Sequence, residues 1–374
     1  MTFIPTSEQQ TLIDSAHRIA AQAAIEGREP SKRLINKWTS EVGMTEPKIM
    51  TDKKTIVVTG GCGYIGSHIV RAFKQAYPDC NMVVVDRVRR GHTLKDVDWF
   101  IMDDFANPGT LLSIVDMNPD VVIHCAGTSL VGPSILNPAE YYDNNISKTI
   151  KLLNALKDME KSPVVMFSSS ASVYGDANVP AFESDLVNPI SPYGKTKAMT
   201  EQILADYQAA YGLASFCFRY FNAAGAMPGT HDLGQEPGAT HIVARVLEAK
   251  INGSEFMLNG DDYDTPDGSC VRDYIHVWDI AQAHIRAFEL SLVDTKPQAR
   301  VLNLGTNQGI SNKEIIDYVS TRYGKLDVTI GPARPGDPAV LIANSDDAQA
   351  LLKWTPYWST IESIIGSAHK WYMR

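Results

Sequence analysis

The sequence predicts an α/β chain: a doubly wound parallel sheet followed by a smaller mixed α/β lobe. Three observations predict it. From Thr55 onward, apolar runs of strand length alternate with amphipathic helical stretches, the pattern of an open parallel sheet covered on both faces. A glycine-rich turn, VTGGCGYIGSH (58–68), joins the first run to the first helix, which makes this half Rossmann-like. After Asn222 the texture becomes irregular and turn-rich, unsuited to a second doubly wound sheet.

Residues 1–53 stand apart. Ser7 and Gln10 have capping-box spacing, and Leu12, Ile13, Ala16, Ile19, Ala20, Ala23 and Ala24 then recur at helical intervals. Glycine and proline at 27–30 break that helix, and 31–39 offers a second start. The expectation is an appended helical extension that packs on the body or engages a partner. TIVVTG (55–60) is continuously apolar, as a strand buried on both faces requires. A helix to about Gln75 follows, then NMVVVD (81–86). DVVIHCAG (120–127), SPVVMFSSS (162–170) and ASFCFRYFN (214–222) read as later strands, with helices at 144–158 and 194–211. Residues 223–240, rich in Gly, Pro, Ala and Thr, read as a crossing loop. Beyond it, 241–251, 281–293 and 311–323 read as helices, VLNLGT (301–306) as a strand, GPARPGDPA (331–339) as a loop and 345–372 as two helices. The expected division is an extension at 1–53, a cofactor domain at 54–222 with return segments near 276–306, and a ligand domain at 223–374.

Composition narrows the function. The 374 residues allow about two domains. A hydrophobic share of 44% and a charged share of 21% describe an ordinary globular protein. The net charge of −9 argues against nucleic acid as a partner. Five cysteines (62, 80, 125, 217, 270) are odd in number, widely spaced and without a CxxC pair, so neither zinc nor a disulfide framework is called for. The expected setting is a reducing cytoplasm. No apolar run approaches the roughly 18 residues of a membrane span, and no signal peptide is read.

The glycine turn carries cofactor chemistry. Gly61, Gly63 and Gly66 satisfy G-x-G-x-x-G, and Gly60, Gly63 and Gly66 satisfy G-x-x-G-x-x-G. Such a turn lets the backbone approach a pyrophosphate, while the following helix N-terminus supplies amides. Asp86, ending the second strand, suits ribose hydroxyls and repels a 2′-phosphate, favouring NAD over NADP. Arg87 beside it pulls the other way.

Ser170, Tyr193 and Lys197 are the catalytic candidates. The tyrosine and lysine are four positions apart, on one helix face, where an ammonium lowers a phenol pKa of about 10. Ser170 tips a strand and can share a substrate hydroxyl, with Ser168, Ser169 and Ser172 as competitors. Alone, Tyr-x-x-x-Lys is a common surface pattern; its place after a glycine fold and a serine-tipped strand gives it chemical meaning. His68 and His124 read as packed residues and His276 as a loop buttress. Arg272 and Arg334 each precede an aspartate, Asp273 and Asp337, in a polar loop, and guanidinium groups bind diphosphate bidentately.

From Thr55 to about residue 370 the chain resembles the UDP-glucose 4-epimerases, extended short-chain dehydrogenases/reductases. The motifs are VTGGCGYIGSH, EYYDNN (140–145), SSSASVYG (168–175), SPYGKTK (191–197), RYFNAAGA (219–226) and DGSCVRDYIHV (267–277). The resemblance implies an isomerase that holds NAD through Gly60, Gly63, Tyr64, Ile65, Gly66, Asp86, Asp104, Phe105, Cys125, Ala126, Gly127, Asn144, Ser168, Tyr193, Lys197 and Tyr220. It implies a UDP-hexose site made of Ser170, Ser172, Tyr193, Asn222, His241, Arg272, Arg334 and Asp337. Tyr193, as phenolate, then takes the C4 hydroxyl proton while hydride leaves C4, and the keto sugar turns before hydride returns. A homodimer and a cytoplasmic role in galactose metabolism are further implications. Ser129 lies where some relatives carry a lysine near the cofactor. Small residues near Ala339 and Val340 fall where tolerance of N-acetyl sugars is set. Ala171 and Ser172 replace the Asp-Glu pair of 4,6-dehydratases, which argues against dehydration. A UDP-GlcNAc or UDP-glucuronate 4-epimerase stays open and, in another class, a non-catalytic NAD-binding interaction protein.

Overall fold

A computed structural model describes residues 53–90, 94–176, 178–294, 298–333 and 337–374. The expected N-terminal extension, save Lys53, lies outside the described residues, as does Arg334.

Seven strands form one sheet: β1 (Thr55–Thr59), β2 (Asn81–Asp86), β3 (Trp99–Met102), β4 (Val121–His124), β5 (Val164–Ser170), β6 (Ser215–Tyr220) and β7 (Ala299–Leu304). All pairings are parallel, in the order β7-β6-β5-β4-β1-β2-β3. The chain runs outward from β1 to β3, then returns to start β4 on the other side of β1. The crevice between the carboxyl ends of β1 and β4 is therefore a topological switch point, the usual ligand site of such sheets.

Side-chain alternation explains the two cores. Ile56, Val58, Met82 and Val84 face one helical layer, and Val57, Val83, Val85 and Val122 face the other. β3 escaped the sequence reading because it is a four-residue edge strand whose Trp99 and Met102 are 58% and 65% exposed. β7 comes from far along the chain, and its preceding helix α5 (Val277–Val293) returns with it. That helix packs on α1 (Tyr64–Ala76) through Phe73 and Phe288, with centroids 5.6 Å apart.

On the other face lie α2 (Pro108–Asp116), α3 (Lys148–Lys157) and α4 (Pro192–Tyr211). Pro192 opens α4, the Ser191 hydroxyl accepts the Gly194 amide at 3.1 Å, and Gly212 closes it at φ 72°.

The smaller lobe holds short strands and helices. Asn222–Ala224 pairs in parallel with Tyr274–His276, and Phe256–Asn259 with Val328–Gly331. Val271–Arg272 lies between Ile310–Ser311 and Val340–Leu341. Helices Ile242–Asn252, Asn312–Tyr323 and Ile361–Tyr372 enclose a third core around Val246, Leu247, Val319 and Ile365. Asn312–Tyr323 starts from a capping box of Ser311 and Glu314. Buried Arg71 of α1 joins the lobes, pairing with Asp96 and, at 3.1 Å, with Asp232.

Candidate active site

The crevice is built first by glycine. Gly60 sits at φ 72°, and a Cβ there would lie 2.6 Å from the Ala126 amide nitrogen. The turn closes through Gly63 N–H donating to Gly60 O at 3.0 Å. Gly63 caps α1 without a side-chain partner, so the first amides of that helix face the turn. Asp86 braces the same turn, accepting the Cys62 amide at 2.9 Å and the Val88 amide at 3.0 Å.

A second set of residues follows β4. Asn144 and Asn145 lie in a π-helical turn, Asp143–Ser147, a form found often at functional sites. The Asn144 amide donates to Thr128 Oγ1 at 2.8 Å, and its oxygen accepts Lys148 Nζ at 2.7 Å. Lys148 also reaches Asp104 at 2.7 Å. Burial pushes the Asp104 carboxyl up, but the Lys148 bond and charge and the Ala106 amide hold it below its ordinary value. Asn145 accepts the Thr128 amide at 2.8 Å and donates to Thr128 O and Thr196 Oγ1, both at 3.0 Å. It clamps the loop after β4 to α4, and a Cβ on Gly127 would press on it at 2.8 Å. Sequence reasoning selected Asn144 and missed Asn145. The adjacent pair in EYYDNN was the signal, but ordinary helical periodicity does not set two consecutive residues toward one loop. Phe105 packs edge-on against His124 in the core, centroids 4.9 Å apart. His124 is held between Thr59 Oγ1 (2.7 Å) and Thr149 Oγ1 (2.9 Å), and burial, helped by Lys197, lowers its pKa to about 3.

The three catalytic candidates converge where β5 ends. Lys197, 6% exposed, donates to Ser168 O at 2.7 Å and lies 5.6 Å from the Tyr193 ring centroid. Burial lowers its pKa to about 8, against the opposing pull of Cys125 and Glu201. The expected depression of the tyrosine does not occur here. Burial raises the Tyr193 pKa to about 12, and only the hydrogen bond with Ser170 pulls it down. The lysine ammonium is committed to a backbone carbonyl and flanks the ring rather than the hydroxyl.

Strand alternation sorts the serines. Ser168 donates to Cys125 Sγ at 3.2 Å and meets Tyr220 OH at 3.0 Å, which in turn meets His284 Nε2 at 3.0 Å. Ser169 points the opposite way, onto Glu201. Ser170 lies beside Tyr193 and shares a 2.6 Å hydrogen bond with Ser172.

The smaller lobe contributes charge. Arg272 is buried, with Nη2 donating to Asp337 Oδ1 at 2.7 Å and Nη1 to Val271 O at 2.8 Å. Asp273 anchors its strand by accepting Thr306 N (2.8 Å), Thr306 Oγ1 (2.7 Å), Asn307 N (3.1 Å) and Ala343 N (3.2 Å). Burial lifts Asp273 to about 6, and these bonds limit the rise. Asn222 donates its backbone N–H to Asp273 O at 2.9 Å, and exposed His241 caps helix 242–252. Tyr64 ties the glycine turn to this lobe, donating to Gly225 O at 2.6 Å. The arrangement can exchange a proton with a hydroxyl held beside Tyr193 and Ser170, and can meet an anionic group at Arg272.

Residues 56–305 match the NAD dependent epimerase/dehydratase family. The chain is 40% identical over 323 residues to the UDP-glucose 4-epimerase of Halalkalibacterium halodurans, covering 85% of this chain and 95% of that one. The crystal structure of UDP-glucose 4-epimerase from Brucella ovis in complex with NAD superposes with a TM-score of 0.78 at 36% identity, over 85% of this chain and 98% of that one. That of the Bifidobacterium longum enzyme in complex with NAD+ and UDP gives 0.78 at 32% identity, over 86% and 98%. With its glycine turn at the switch point and likeness along nearly the whole length of these enzymes, the chain belongs to the NAD dependent epimerase/dehydratase family, in its UDP-glucose 4-epimerase branch.

Proposed function

We propose that the chain interconverts UDP-galactose and UDP-glucose as an NAD-dependent 4-epimerase. The observation that carries this reading is the meeting of Ser170, Tyr193 and Lys197 at the carboxyl end of β5, next to the strand that borders the glycine crevice. The crevice fits a dinucleotide: Gly60 leaves no room for a side chain, α1 starts without a side-chain cap, and Asp86 stands beside the turn. NAD, when bound, supplies a hydride acceptor and donor for the sugar C4 and a positive charge near the phenol. Asp86, Asp104, Asn144, Tyr220 and Lys197 are the residues we assign to holding it.

Tyr193 takes the C4 hydroxyl proton and later returns it, while Ser170 hydrogen-bonds the same oxygen. The phenol, lifted by burial, ionises only when positive charge is brought alongside it. Arg272, with Arg334, Asp337, Asn222 and His241, anchors the UDP moiety while the 4-keto ring turns. Remote binding energy then retains a reactive ketone at no cost to the chemical step.

This division of labour assigns 54–222 with 276–306 to the cofactor and most of 223–374 to the nucleotide sugar. A homodimer and a cytoplasmic setting belong to the same reading. Among the described residues all five cysteines are free, as a reducing compartment expects, and no helix is long and apolar enough to cross a membrane. The test is incubation of pure protein with UDP-galactose, UDP-GlcNAc and UDP-glucuronate in parallel, with product separation. UDP-glucose formed from UDP-galactose without net NADH is expected. Turnover of the N-acetyl sugar or the uronate alone would overturn the sugar assignment.

A further inference from the structure

One turn beyond Lys197 on α4, Glu201 is buried in an ion pair with Arg219 of β6. Arg219 Nη2 donates to Oε2 at 2.7 Å and Nε to Oε1 at 3.1 Å. The Ser169 hydroxyl donates to the same carboxylate. Arg219 also donates to Tyr174 OH at 2.9 Å, and Tyr174 to Asn303 of β7 at 2.6 Å. One carboxylate thus ties α4 to β5 and β6, and through Tyr174 to β7. It grips β5 at the residue between Ser168, which accepts Lys197, and Ser170, which meets Tyr193. Desolvation offsets most of the attraction in a buried pair, so stability alone is a weak reason for one here.

The surroundings of Lys197 give the pair a second consequence. Phe167 and the Ser168 carbonyl face it from β5, His124 and Cys125 from the end of β4, and Tyr193 and Glu201 from α4. Burial keeps His124 (about 3), Cys125 (about 11) and Tyr193 (about 12) uncharged at neutral pH. Asp86 lies further out and acts on Cys125. Cys125 and Glu201 both oppose the fall of the lysine pKa, and with the Cys125 thiol uncharged at neutral pH, Glu201 is the anion among these described neighbours that bears on the lysine.

We propose that Glu201 is a positioning residue for the epimerisation: it locks the serine-tipped strand to the catalytic helix and sets a buried carboxylate one turn from Lys197. This rests on the roles given above to Tyr193 and Lys197. Glu201→Gln keeps the shape and removes the charge. The alkaline limb of its kcat profile is expected to move acidward by about one unit, so that turnover falls about fivefold near pH 8 and less than twofold near pH 6. Glu201→Asp, which keeps the charge, should leave the limb where the wild-type protein has it, whatever its rate. The double variant Glu201→Gln, Arg219→Met removes both charges, avoids a stranded guanidinium and should still show a displaced limb. Limbs unmoved in both the single and the double variant, with only thermal stability changed, would overturn the proposal. Tyr193→Phe, assayed alongside, separates the two ideas. An inactive Tyr193→Phe beside an unmoved Glu201→Gln limb sinks the positioning role alone, whereas a fully active Tyr193→Phe sinks the underlying reading.

Discussion

Lys197 donates to the backbone carbonyl of Ser168 at 2.7 Å, and its ammonium flanks the ring of Tyr193 instead of meeting the phenol. The ligand-free phenol, raised by burial to about 12, therefore holds its proton throughout the physiological range. In the proposed reaction, positive charge arriving with the ligands adds to that of Lys197 in favouring the phenolate. We expect Tyr193→Phe to reduce kcat by roughly 10²–10⁴-fold, the span associated with positioned proton transfer. UDP affinity, read by calorimetry, should be unchanged, because the proposed site sets the phenol against the sugar and assigns the diphosphate to Arg272. A variant that turned over at the wild-type rate would remove Tyr193 from the mechanism.

Gly60 offers a structural test of the cofactor site. Its φ of 72° disfavours any side chain, and a Cβ would press on the Ala126 amide at 2.6 Å. Gly60→Ala should push the turn away from the loop after β4, costing about 1–3 kcal/mol of stability and most of the bound NAD. Cofactor content after purification and a thermal melt report the two effects separately. Wild-type NAD content in a variant of lowered melting temperature would mean that the turn bears no pyrophosphate.

Much of this was legible in the sequence. The buried strands showed as continuous apolar runs because both of their faces are covered, and the glycine turn and Tyr-x-x-x-Lys spacing each follow from a local geometric need. What stayed hidden was non-local. β3 carries too little buried surface to leave a pattern, and the position of Asn145 depends on a π-helical turn. The direction of the Tyr193 pKa shift is set by burial, which a four-residue spacing does not reveal. The Glu201–Arg219 pair joins a residue four positions past SPYGKTK to the first residue of RYFNAAGA, and neither motif hints that the two touch.

Buried Asp279 predicts a pH dependence of stability. It accepts the Trp358 amide at 2.8 Å and the Ser359 hydroxyl at 2.6 Å, yet burial raises its pKa to about 7. In the unfolded chain it titrates near 4. Between those values the folded protein holds the proton that the unfolded chain has released, so stability falls as pH rises. The contribution is complete below about pH 4 and is lost by about pH 7, a difference on the order of a few kcal/mol. Asp279→Asn removes this slope and keeps an acceptor for both donors. Denaturant unfolding at several pH values checks it; an unchanged slope would mean that the carboxylate is ionised throughout.

Arg272 tests the anchoring of the nucleotide. Its guanidinium is held by Asp337, Val271 O and Ala339 O, so the planar fork is already oriented before a diphosphate arrives. Lysine keeps the charge but cannot present two parallel N–H groups, nor hold Asp337 and the carbonyls of Val271 and Ala339 at once. Arg272→Lys should raise the KM for UDP-galactose by about 10–100-fold and leave the NAD content unchanged. If the diphosphate contact serves only to bind, kcat stays constant. If it also holds the keto sugar during its turn, kcat falls as well and NADH accumulates as the ketone escapes. A stopped assay for released 4-keto sugar distinguishes the two, and an unchanged KM would place the diphosphate elsewhere.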